Sequence, residues 1–93
     1  MRLIQLTLGS GTNTQVTTQN IYASIVVFQN NAANNMRIGD NTTTSSKGIT
    51  LASGSPGGSA TLQIFPPRGT LLSSYYVAGT AGQVIDILYE TSA

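Results

Sequence analysis

The residues able to do chemistry are few: Arg2, Arg37, Asp40, Lys47, Arg68, Asp86 and Glu90 are the only charged side chains among the 93. His, Cys and Trp are absent. Thiolate nucleophiles, imidazole bases, Ser-His-Asp triads, His/Cys metal sites and disulfide scaffolds are therefore excluded by composition. The remaining catalytic device is a pair of carboxylates, which in its usual form works within ~10 Å. Three acids scattered from Asp40 to Glu90 are poor material for one. The reading is of a chain that is not an enzyme and uses no cofactor, metal or small-molecule substrate.

Motifs that imitate functional sites yield to plainer readings. Gly54-Ser55-Pro56-Gly57-Gly58 has the glycines of a phosphate loop but neither its Lys-Ser/Thr nor a following helix, so it reads as a turn. Gly39-Asp40-Asn41 offers one carboxylate where calcium wants six to eight oxygens, and is also read as a turn. Asn41-Thr42-Thr43 matches the glycosylation pattern by chance in a chain so rich in Asn and Thr. The Thr42–Thr44 run and the Thr12/Thr14 pair are too isolated for an ice-binding ladder. A net charge of +1 with scattered cations gives no phosphate-binding stripe, so nucleic acid is not an expected partner. No apolar stretch is long enough to cross a membrane as a helix, and the first eight residues do not read as a signal peptide. The lack of Cys suits a reducing cytoplasm.

The elements that position these residues are short strands. Ile4, Leu6 and Leu8 alternate with Gln5 and Thr7, the period of a half-buried strand. Ile21–Phe28 is nearly continuous and β-branched, and reads as a central strand covered on both faces. Met36–Ile38, Ile49–Leu51 and Ala60–Phe65 follow, the last stopped by Pro66-Pro67. Thr42–Ser46 reads as an exposed loop with no core-facing residue. Leu71–Ala78 and Val84–Tyr89 read as a terminal hairpin around Thr80-Ala81. The expected fold is all-β: a single small antiparallel sandwich or barrel of jelly-roll type, with seven or eight strands. Residues 1–93 form one domain, with 1–19 either a strand or an arm engaging a neighbour.

The inward set is expected to include Ile25, Val27, Phe28, Ile49 and Tyr75, leaving Leu3, Tyr22 and Val26 facing out. So few charges blunt the sheet edges poorly, which points to an oligomer or a subunit docked on a larger assembly. Adjacent tyrosines on a strand face opposite ways, so one of Tyr75 and Tyr76 fills the core and the other is available as an interface anchor near Arg68.

The second half also carries a resemblance. Asn35-Met36-Arg37-Ile38-Gly39-Asp40, Lys47-Gly48-Ile49-Thr50-Leu51, Gly57-Gly58-Ser59 with Pro66-Pro67, and above all the closing Tyr75–Tyr89 segment are similar to small structural proteins of tailed-bacteriophage virions. The terminal Tyr-Val-Ala-Gly-Thr-Ala-Gly turn resembles that of jelly-roll decoration, or cement, proteins. The resemblance covers roughly residues 20–90 and contains no catalytic residue. It implies a protein made in the host cytoplasm that coats the capsid as a homodimer or homotrimer and bridges major capsid proteins. The interface residues expected on that basis are Arg2, Arg37, Arg68, Tyr75 and Tyr76. The alternative is a tail, neck or fibre subunit binding host glycans, with Tyr22, Tyr75, Tyr76 and Asp86 as raw material.

Overall fold

A computed structural model describes residues 1–53, 60–64 and 69–91. Nine strands run through them: β1 (Arg2–Thr7), β2 (Thr14–Gln15), β3 (Tyr22–Asn30), β4 (Met36–Gly39), β5 (Ile49–Leu51), β6 (Ala60–Ile64), β7 (Thr70–Leu71), β8 (Tyr76–Ala78) and β9 (Val84–Thr91). They form two antiparallel sheets packed as a sandwich. The five-stranded sheet has the order β1-β9-β3-β6, with β7 also paired to β3. The four-stranded sheet has the order β2-β8-β4-β5. Every connection except β4–β5 and β6–β7 passes from one sheet to the other.

The all-β sandwich expected from the turn spacing is what forms, but three local readings are corrected. First, Leu71–Ala78 is not one strand. It divides into β7, a single 3-10 turn over Leu72–Ser74, and β8. The Tyr75 N–H donates to the Leu72 carbonyl (3.2 Å) and the Ser74 hydroxyl to the Leu71 carbonyl (2.6 Å). A serine that bonds nearby backbone offers the chain an alternative to the ladder, and Ser74 does so where the chain passes between sheets. This break and the two-residue β2 raise the strand number above seven or eight.

Second, β8 and β9 are not a hairpin. β8 lies between β2 and β4, while β9 lies between β1 and β3 in the opposite sheet. The Gly79–Gln83 turn therefore spans the layers. Gly79 passes so close to the core that an added Cβ would sit 2.7 Å from Leu8 Cδ1 and 3.2 Å from Met36 Cγ.

Third, the facing of β3 reverses within the strand. Its register against β9 steps from Ala23↔Thr91 to Ile25↔Glu90, leaving Ser24 as an extra residue. Such a bulge shifts which side chains point inward. Val26 joins Phe28 in the core, and Ile25 and Val27 take the half-buried outer face. Only one face is fully covered, contrary to the two-sided burial expected of this strand. Ile49, read as inward, is also exposed (58%) at its sheet edge.

Leu8, Phe28, Met36, Ile38, Leu72, Val77, Ile85 and Ile87 dominate the core. Val16 and Leu72 were not foreseen in it. β1 is integral to the sandwich, since it pairs with β9 along its whole length and leads into the buried Leu8. The 1–19 segment therefore begins as a docked edge strand of its own molecule.

Two buried polar side chains organise the loops. Asn30 Nδ2 donates to the carbonyls of Asn34 (3.0 Å), Leu51 (3.0 Å) and Ala52 (3.1 Å), while its Oδ1 accepts from the Ala32 N–H (2.9 Å). This one amide closes the loop after β3 and ties it to the end of β5. Thr43 is buried and donates to the Asp40 carbonyl (2.6 Å), correcting the reading of 42–46 as a loop with no inward residue.

Candidate interaction surface

The arrangement most able to meet a partner is the outer face of the five-stranded sheet together with its β1 edge. The registers place Leu3 beside Leu88, Leu88 beside Val27, and Val27 beside Gln63, forming one row across four strands. The next row is Gln5, Asp86, Gln29 and Thr61. Period-two alternation on each strand produces both rows, since the residues between them point into the core. Leu3 is 59% exposed and Leu88 37%.

A shallow depression of about 300 Å³ is lined by Leu3, Val27, Gln29, Asp86 and Leu88. Beside it a more polar one of about 470 Å³ includes Gln5, Asn31, Gln83 and again Asp86. The Asp86 carboxylate holds the polar row in place. Oδ1 accepts from Gln5 Nε2 and Oδ2 from Asn31 Nδ2, both at 3.1 Å. Gln83 Nε2 donates to Asn34 Oδ1 (2.8 Å), while its buried Oε1 has no hydrogen-bond partner.

The four described residues among the five expected at an interface do not gather. Arg2 starts the β1 edge, opposite Tyr89. Arg37 and Tyr76 lie on the outer face of the other sheet, Tyr76 being opposite Gly39, two positions along β4 from Arg37. Arg37 is occupied locally, its Nη1 donating to the Gly48 carbonyl (3.1 Å). Tyr75 is turned inward. Its ring lies 5.6 Å from that of Phe28 at 59°, and its hydroxyl hydrogen-bonds Thr70 Oγ1 (2.8 Å). Arg68, with the Gly54–Gly58 cluster and Pro66-Pro67, lies outside the described residues.

The carboxylates are also dispersed. Asp86 and Glu90 share the outer face of β9 but stand four residues apart, ~14 Å at strand rise. Asp40 belongs to the β4–β5 loop of the other sheet. There the Thr42 hydroxyl and backbone N–H both donate to Asp40 Oδ1, the N–H at 2.8 Å. These bonds, with a smaller contribution from the Lys47 charge, hold the Asp40 carboxyl below its ordinary range. Among the described residues, no three acids, His or Cys side chains come together as a metal-ligand group. The glycan raw material is likewise separated. Tyr22 and Asp86's neighbour Gln29 are seven residues apart on β3, roughly 23 Å, and Tyr75 is committed to the core.

Alternation in β1 and β9 made Leu3 and Asp86 legible as outward residues. The cross-strand rows were not legible, because they depend on strand order. Compared with family models, curated proteins and solved structures, the chain matches none.

Proposed function

We propose that this chain is a structural subunit of a virus particle, a decoration protein that binds the outside of the capsid and stabilises it by bridging major capsid proteins. The observation that carries the reading is an unfinished sheet: an outward Leu3–Leu88–Val27 row, exposed at Leu3 and Leu88 and half-buried at Val27, beside a six-residue edge strand. Exposed sheet edges recruit partners through main-chain hydrogen bonds, and side-chain rows give those contacts specificity. Many identical copies on a shell then turn weak contacts into strong attachment.

Two further features support it. Successive strands alternate between the sheets in the manner of a jelly roll, and we read the sandwich as one. The resemblance of the Tyr76–Gly82 segment to phage decoration proteins supplies the virion context. On this reading the protein is made in the host cytoplasm, works at the capsid surface and does no chemistry. Its partners are the major capsid protein and copies of itself, rather than nucleic acid or a membrane.

The test is addition of purified protein to undecorated capsids. Saturable uptake in a fixed ratio to capsid subunits, with a higher temperature of capsid disassembly, is the expected result. Uptake by tail or neck components with none by capsids would replace this reading with that of a tail-associated subunit.

A further inference from the structure

We propose that two copies of this chain join through β1, pairing antiparallel about a two-fold axis at Gln5 so that their five-stranded sheets become one. This deepens the function proposed above by naming a second copy as the partner of the sheet edge. It rests on that reading only in treating the edge as a working surface.

β2 and β5, which end the other sheet, have two and three residues, and β6 approaches β5. β1 has six, contains no Pro or Lys, and keeps an unbroken register with β9. Its single charge, Arg2, stands at one end. These are the marks of an edge that nothing among the described residues blunts.

The Leu8 N–H donates to the Gln83 carbonyl (2.8 Å) and the Leu8 carbonyl accepts from the Gly82 N–H (2.9 Å), so Leu8 turns its backbone groups toward the β9 side. Alternation along the strand gives Ile4 and Leu6 the same direction. Leu3, Gln5 and Thr7 therefore turn theirs to the open edge.

Ile4 and Leu6 face the core yet remain only half-buried. Since β5 closes against β6 on the far side, the two-residue β2 is the strand of the other sheet that lies on the β1 side. The sandwich is incompletely covered there.

Self-complementarity identifies the occupant. A two-fold axis perpendicular to the sheet keeps core-facing residues opposite core-facing residues, so paired residue numbers must add to an even number. An axis at Gln5 sets Leu3 opposite Thr7, Ile4 opposite Leu6 and the neutral Gln5 amides opposite each other. The outward backbone groups of Leu3, Gln5 and Thr7 all find partners. An axis at Ile4 would leave Thr7 with no β1 residue opposite it. With the axis at Gln5 the two Arg2 side chains lie at opposite ends of the junction, and apolar Ile4–Leu6 pairs complete the open core.

Sedimentation equilibrium and residue-resolved amide exchange on the unaltered chain test this. A particle of twice 9.7 kDa is expected. The amides of Leu3, Gln5 and Thr7 should be protected when concentrated and should exchange at least tenfold faster on dilution. Gln5→Pro removes an edge-facing N–H at a position where an edge strand tolerates proline, and should give a folded monomer. A chain that is monomeric throughout overturns the proposal. So does a trimer, a dimer whose three amides stay fast, or protection seen only on capsids. Capsid uptake is scored separately: a monomer that decorates capsids removes this inference alone, and a dimer that ignores them removes the function alone.

Discussion

Asn30 shows how much one side chain can organise. Its amide serves three carbonyls and one N–H from two loops, at a site with no solvent exposure. Asn30→Ala should cost about 3 kcal/mol in chemical denaturation, because buried groups lose partners that water cannot replace. Asn30→Asp should be worse at neutral pH, where a carboxylate would face those same carbonyls, and should recover partly in acid. Asp40 predicts a different pH response. Its folded pKa is depressed below 3.8, so the stability it contributes is fully present above the unfolded pKa. That contribution is lost as pH falls through the lower, folded value. Thermal melts at successively lower pH should show an acid-side decline that Asp40→Asn lessens. The polar run around Asn30 gave no sign of which amide would be buried, because residue type alone does not distinguish a solvated Asn from one closing a loop.

At the scale of the element, β3 and β9 mark the limits of reading strands from sequence. In β9 polar Asp86 and Glu90 interrupt the apolar series, and the facing of Ile85, Ile87 and Tyr89 was legible. In β3 the run from Ile25 to Phe28 is apolar at every position, so no alternation marks the side that faces in, and a one-residue bulge decides it. Deleting Ser24 should therefore be tolerated. It restores regular pairing between Ala23↔Thr91 and Ile25↔Glu90 without reversing either half of the strand. Inserting one Ala between Val27 and Phe28 should prevent folding, since it moves the buried Phe28 and Asn30 to the wrong face. Circular dichroism and denaturation midpoints would separate the two outcomes. The false hairpin has a similar origin. Gly79-Thr80-Ala81-Gly82 is a competent turn, but local sequence does not state whether a turn returns within a sheet or crosses to the other.

Over the whole molecule, the sandwich was legible because apolar runs and turn clusters recur at strand spacing. The surface was not, because its rows are assembled from strands distant in sequence. Leu88 lies in the middle of that surface and outside the core. Leu88→Gln should cost about 1 kcal/mol of stability and leave the chain folded while lowering capsid uptake more than tenfold in the same binding assay. A loss of stability equal to the loss of uptake would mean that this face is structural. The position of β9 between β1 and β3 also bears on biosynthesis. β1 has no neighbour in its own sheet until residues 84–91 have been synthesised, so native order at β1 waits for β9, and a chain stalled before residue 84 leaves β1 and β3 without the strand that joins them.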